Sequence, residues 1–385
     1  MKTKLPLAFL ALSLAFTACK KDKDDPTPAE PGYRTAKVDY NALTATTSYN
    51  SPLFYDSKGD STVDRTEGRL RLRMLKALDA YAKSAASGNK TISATALAGM
   101  FANTNNSFID PYTDLNSSTL QLKNVTASSF SQADQESVHM DINWFFTEIA
   151  EASKSVAETA EDGKAGKLGN YLVDENGIEW AQVISKAFIG GLELDYIGNV
   201  LLDKGLDANN TELVSGKNYT QLEHNWDEAY GLLTVNDIYA ATATATDKDT
   251  KESFLGSYVW EYNREGFKKI HFAFLKGRAA IINNDKAELR AQAAIIRAEF
   301  EKAIASAALG YLEKWKKGET TAAKAHAIGE GTGFIYSLRF CKVNGADSKF
   351  SDDILDGILE EGFWKLDNDK INAASDAIKA KFKLQ

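Results

Sequence analysis

Two of the four histidines in this 385-residue chain head the same pattern, His-x3-Glu-x2-Gly: His224, Glu228 and Gly231, then His326, Glu330 and Gly333. Residues three and four apart share a helix face, so His224 would converge with Asp227 and Glu228, and His326 with Glu330. If the two helices meet, two imidazoles and three carboxylates form a mixed nitrogen and oxygen set suited to a divalent metal such as iron, zinc or manganese. The competing reading of the same five residues is a buried polar network that clamps helices, with the imidazoles donating to carboxylates or backbone carbonyls. Arg278 sits among Phe274, Leu275, Ala279, Ala280 and Ile281. A guanidinium in such company needs a carboxylate, and Glu193 is the expected partner in a structural ion pair, with Glu228 as the other option. Trp226 and Tyr230 read as core packing, and the lone His139 and His271 read as structural.

No catalytic residue is assigned, because the usual signatures are missing. The sequence contains no His-Glu-x-x-His zinc helix, no Gly-x-Ser-x-Gly elbow and no Walker phosphate loop. Gly329, Gly331 and Gly333 lie inside a helical pattern without the preceding strand that nucleotide binding requires, so they are expected to allow close helix packing.

The elements that must position these side chains are helices. Six prolines, five of them by position 52, leave long uninterrupted stretches. Ala293, Ile296, Phe300, Ile304, Ala307, Tyr311 and Trp315 step by three or four along one stripe. Similar stripes run through 66–86, 132–161, 177–203, 218–240, 266–283, 320–341 and 368–383. Segments 34–62 and 103–131, rich in Asn, Ser, Thr and Tyr, read as loops. Arg65, Arg69, Arg71 and Arg73 share a helix with Leu70, Met74, Leu75 and Leu78 and read as a solvated or salt-bridged face. An all-α fold of long antiparallel helices follows.

An internal repeat organises those helices. Residues 179–193 (EWAQVISKAFIGGLE) and 299–313 (EFEKAIASAALGYLE) share Glu, Ile, Ala, Gly, Leu and Glu at matching positions. A histidine pattern follows each copy, which predicts two helical bundles related by duplication. The expected division is a bundle with N-terminal loops over 41–245 and a second bundle over 246–385.

Lys2 and Lys4 precede an apolar run ending in Phe16-Thr17-Ala18-Cys19. That is the order of a secretory signal, and the small residues before a cysteine fit a lipobox cleaved after residue 18. Lipidation of Cys19 would anchor the chain to a membrane, since each buried methylene contributes about 0.8 kcal/mol. Residues 19–40, with Lys-Lys-Asp-Lys-Asp-Asp followed by Pro26, Pro28 and Pro31, read as a flexible tether. Cys341 is left without an intramolecular partner. The net charge of −8 and pI near 5.3 argue against a nucleic-acid partner.

His224-Asn-Trp226-Asp227-Glu228-Ala-Tyr230-Gly231, Phe274-Leu-Lys-Gly277-Arg278-Ala-Ala-Ile281 and His326-Ala-Ile-Gly-Glu330-Gly-Thr-Gly333 together resemble the lipoprotein family called domain of unknown function 4856, related to the imelysins. The resemblance implies an imelysin-like pair of helical bundles on an outer-membrane lipoprotein of Bacteroidetes, at the cell surface or the periplasmic face. It further implies a ligand- or partner-binding role in iron or haem acquisition beside an outer-membrane transporter. A metal-dependent, peptidase-like hydrolase and a structural component of an envelope complex are the alternatives. The imelysin signature Gly-x-His-x-x-Glu is not met: Leu222 and Asp227 flank His224, and Gly329 follows His326.

Overall fold

The computed structural model describes residues 37–239, 244–246 and 252–385. The expected signal, Cys19 and most of the tether lie outside the described residues, and the expected boundary at 245 falls in a stretch described only at 244–246.

The architecture is all-α, with one small hairpin. The helices are α1 (Thr66–Ser87), α2 (Ala94–Ala102), α3 (Leu122–Val125), α4 (Gln132–Ala152), α5 (Trp180–Phe188), α6 (Gln221–Leu233), α7 (Phe254–Tyr262), α8 (Arg264–Ile282), α9 (Lys286–Lys317), α10 (Thr321–Ser337), α11 (Ser348–Leu359) and α12 (Asn368–Phe382). Between α4 and α5, strands β1 (Gly166–Leu168) and β2 (Tyr171–Val173) pair antiparallel. Among the described residues, no helix is long and apolar enough to cross a membrane.

Local chemistry sets the boundaries. The hydroxyl of Thr220 accepts from Glu223 N–H while the Glu223 carboxylate accepts from Thr220 N–H, a reciprocal cap that starts α6 just before the His224 pattern. Asp285 caps α9, whose last turn carries Lys314, Lys316 and Lys317 against its carbonyl end. Gly169, at φ 63°, makes the tight turn of the hairpin with Asn170. α5 continues without a break into a π-helix, Ile189–Leu201. Its first turn holds Gly190 and Gly191, and a Cβ at Gly190 would run into the backbone and side chain of Ser337 on α10.

The long α9 packs between α8 and α10, α5 packs on α10, and α6 packs on α1 and on the π-helix. These contacts enclose one continuous core that includes Trp226, Phe274, Ile296, Phe300 and Phe334, all fully buried. The closest crossings run over glycine. A Cβ on Gly68 would come within 2.6 Å of Leu232 N, and one on Gly333 within 2.6 Å of Lys186 Cβ and 2.8 Å of Val183 O. The glycines of α10 therefore serve helix packing, as the sequence suggested.

The expected helical stripes appear as α1, α4, α5 with its π-helical extension, α6, α8, α9, α10 and α12, but the stripe over 132–161 stops as α-helix at Ala152 and that over 218–240 at Leu233. Of the two expected loop segments, residues 37–62 and 103–131 hold 3-10 turns and the single turn of α3 within otherwise irregular chain.

Candidate functional site

Arg278 is wholly buried at the centre of a network that joins α8, α6 and the N-terminal segment. Its Nε donates to Asp227 Oδ1 (2.9 Å), Nη1 to Glu223 Oε1 (2.7 Å) and Nη2 to the Thr62 hydroxyl (2.8 Å). Tyr49 Oη also donates to Asp227 Oδ1 (2.8 Å). Burial raises Asp227 to about 6, against the pull of Arg278. Burial likewise opposes the Arg278 charge, but Asp227 and Glu223 more than offset it and hold the guanidinium above its ordinary range. Beside this hub, Trp226 Nε1 donates to Phe274 O (2.9 Å), and its ring lies where a Gly277 side chain would be. Every polar group here is spent on another, so the hub is structural.

The His224 ring points the other way, toward α1. Its Nε2 lies 3.9 Å from Glu67 Oε1. Donor atoms of Glu67, His224 and Glu228 all lie within 4.8 Å of one another, the one such group among the described residues. Arg71, one turn beyond Glu67, reaches both Glu67 (3.3 Å) and Glu228. Tyr196, presented by the π-helix, donates to Glu228 Oε2 (3.3 Å). Tyr219 stacks on His224 with centroids 5.3 Å apart and planes 10° apart. Burial raises the Glu228 carboxyl, with Arg71 opposing. The His224 Nδ1 is buried without a hydrogen-bond partner. The group opens into a cavity of about 560 Å³ that also reaches Asp64, Lys217 and Asn225.

His326 occupies a second cluster, built from the same residue types. Nδ1 lies 2.7 Å from Glu179 Oε2, and Nε2 lies 3.9 Å from Glu330 Oε2. Lys186 Nζ pairs with Glu330 Oε1 (2.6 Å) and donates to Gln182 Oε1 (2.5 Å). Tyr171 of β2 stacks on the imidazole with centroids 4.2 Å apart and planes 12° apart. Burial raises Glu179, with His326 opposing. Burial also disfavours the Glu330 charge, yet the Lys186 ammonium outweighs that and lowers its pKa. This imidazole already has its carboxylate at hydrogen-bond distance, and its cation is built in.

The sequence-predicted residues thus divide among three places. His224 and Glu228 stay together, as do His326 and Glu330. Asp227 does not join them: successive helical residues turn by about 100°, so i+3 and i+4 diverge by that angle, and Asp227 faces Arg278 on the opposite flank of α6. The two imidazoles do not meet either. α6 packs on α1 and α10 on α5, so each histidine faces a helix from the first half of the chain and they share no partner. Arg278 pairs with Glu223 and Asp227, and not with Glu193 or Glu228. Glu193, also wholly buried, turns instead to the start of α7, where Oε2 accepts from Leu255 N–H (2.8 Å) and burial pushes its carboxyl well up.

Glu67, Arg71, Tyr196, Tyr219, Glu179, Lys186 and Tyr171 were not anticipated as site residues. Glu67 and Arg71 carried a signal, an i, i+4 acid–base pair on an apolar stripe. The others gave none; Glu179, for one, meets His326 across 147 residues of chain. His271 and His139 are structural as expected: His271 Nε2 meets Thr47 O (2.8 Å) with Nδ1 accepting from Tyr239 N–H, and His139 Nε2 meets Thr126 O (3.2 Å). Arg65 and Arg71 are buried ion-pair partners, whereas Arg69 and Arg73 are more exposed.

Nothing among curated proteins and nothing among solved structures matches this chain. A family model does match it, over residues 51–385, a span holding both histidine clusters and all of the Arg278 hub except Tyr49. The chain belongs to the family described as Domain of unknown function (DUF4856).

Proposed function

We propose that this protein is a lipid-anchored binding protein of the cell envelope that takes a first-row divalent metal, iron among the candidates, at Glu67, His224 and Glu228. The observation that carries the reading is the gap in that group. At 3.9 Å, the imidazole and the Glu67 carboxylate are too far apart for a hydrogen bond. Two donors held about 2.1 Å from one ion lie at most about 4.2 Å apart, so the 3.9 Å between His224 and Glu67 suits a bridging metal, with Glu228 near enough to join by a small side-chain shift. One imidazole nitrogen and two carboxylates make a borderline donor set of the kind iron, manganese and zinc accept. Arg71 neutralises the two carboxylates and would compete with an incoming cation, which makes the affinity a balance of the two.

The envelope location is supported by the Lys2–Cys19 signal pattern and the charged, proline-bearing stretch after it. A role beside an outer-membrane transporter in iron or haem uptake rests on the resemblance to imelysin relatives. The recurrence of a stacked tyrosine, an imidazole, a carboxylate at i+4 and a cation in two clusters supports growth of the chain from a repeated helical unit.

Elemental analysis of protein loaded with iron(II), manganese(II) or zinc(II) and then dialysed tests the proposal. One metal per chain is expected, with none retained in His224→Ala or Glu67→Gln. Metal-free protein, with variants that only melt earlier, would leave a structural network and overturn it.

A further inference from the structure

A different surface carries a second binding site, independent of the metal proposal. Trp144 on α4 is 52% exposed, and Met140 one turn earlier is more uncovered still. It is the outer wall of a cavity of about 330 Å³ between α4, α5, α10 and α11. Behind it the indole of Trp180 meets Trp144 edge to face (4.9 Å, 71°), and Phe145 stacks on Trp180 (5.5 Å, 26°). Aromatic faces therefore form the floor.

The rim is acidic. Asp141, Asp352, Asp356 and Glu360 line the cavity with Arg339 as the one cation. Arg339 is already used: its guanidinium lies 3.7 Å from the Tyr336 ring centroid and pairs with Asp352 (2.6 Å) and Asp141 (3.4 Å). Asp356 and Glu360, one turn apart at the end of α11, make no ion pair among the described residues. Among these described residues no cation touches either carboxylate; Lys370, which feels the Glu360 charge, is itself paired with Glu361. At the inner wall, Thr332 is 97% buried and its hydroxyl has no hydrogen-bond partner. A buried hydroxyl left unpaired costs free energy unless something brings it a partner.

We infer that this cavity binds a small organic cation, with its positive nitrogen between the Trp144 indole and the carboxylates of Asp356 and Glu360 and a polar group within reach of Thr332. The electron-rich face of an indole attracts alkylammonium and guanidinium groups more than neutral groups of the same shape. Arg339 over Tyr336 is the chain's own instance of that contact in the same cavity. An anion or a nucleotide is disfavoured by a lining of four carboxylates against one guanidinium. At about 330 Å³ the cavity lies at the small end of the roughly 300–1,000 Å³ range of ligand pockets and has room for a small cation such as choline or arginine amide.

Calorimetric titration of the full mature chain with choline, with its uncharged carbon isostere dimethylbutanol, and with arginine amide tests the site. The expected result is saturable 1:1 binding of choline or arginine amide, with the neutral isostere at least about tenfold weaker. The tighter of the two cations identifies an ammonium or a guanidinium ligand. Trp144→Ala should weaken binding by about tenfold, and Asp356→Asn with Glu360→Gln by a similar factor. All of these residues are surface-exposed, so circular-dichroism melting of the variants should match the parent. Absence of saturable binding of either cation, equal binding of the isostere, or no effect of Trp144→Ala would overturn the assignment.

Discussion

Replacing Arg278 with methionine should separate what holds this fold from what the open cluster does. The side chain has no solvent exposure, and its loss strands Asp227 and Glu223, each also buried, while the Thr62 hydroxyl keeps only its bond to Phe54 O (2.6 Å). Breaking a buried ion pair by removing one partner costs about 3–5 kcal/mol, and methionine fills most of the volume, so a cavity adds little. The penalty should depend on pH. Asp227 already titrates near 6 because burial outweighs Arg278. Without the guanidinium its folded pKa rises further above the unfolded value, so the variant's handicap is full at alkaline pH and eases as pH falls through the folded pKa. The relief approaches about 1.4 kcal/mol per pH unit while the folded carboxyl alone takes up the proton. Urea unfolding followed by far-ultraviolet circular dichroism at pH 8 and pH 6 reads both quantities. A loss under about 1 kcal/mol, or one that is identical at the two pH values, would refute the reasoning.

Three further outcomes are expected. Gly68→Ala places a methyl group 2.6 Å from Leu232 N and 2.8 Å from Gly231 C, so α1 and α6 must separate; thermal melting should show a loss of about 1–3 kcal/mol, and an unchanged melting point would deny the close crossing. His271 is held neutral by burial with a pKa near 4 against an ordinary 6.5, so its contribution of about 3 kcal/mol is present above pH 6.5 and lost as pH falls toward 4. The stability difference between the parent and His271→Gln should therefore shrink over that window, and parallel pH profiles would count against it. Cys341 is fully buried and its thiol pKa is pushed well up by burial. In a Cys19→Ser chain a disulfide reagent should find no reactive thiol until denaturant is added, and rapid reaction in the native protein would contradict that burial.

Much of this fold is written in helical periodicity. The stripe from Ala293 to Trp315 is one face of α9, and Thr220 to Glu223 announces the start of α6. What periodicity missed was short or irregular: α2, α7 and α11 run only nine to twelve residues, and the hairpin contributes three residues per strand. The π-helix was hidden because its composition reads as ordinary helix, and only its wider backbone hydrogen bonding distinguishes it.

The candidate site was half legible. His224 with Glu228, and His326 with Glu330, follow from spacing along a single helix. The residues that complete each cluster lie on other elements, and one sequence holds no record of which helix will face which. Asp227 shows the limit within a helix: three and four residues both count as neighbours, yet the neighbouring helices placed i+3 against Arg278 and i+4 beside Arg71. Glu193 shows the limit across helices, since any buried acid was a plausible partner for Arg278 and the chosen ones were Glu223 and Asp227.

Calorimetric titration of the mature protein with manganese(II) at pH 7.5, alongside Glu67→Gln and Arg71→Met, tests the central proposal most directly. The account predicts one site per chain that Glu67→Gln abolishes and Arg71→Met tightens, because the competing guanidinium is gone while His224 and both carboxylates remain. Absence of heat in the parent and in Arg71→Met, with both proteins folded, would contradict it.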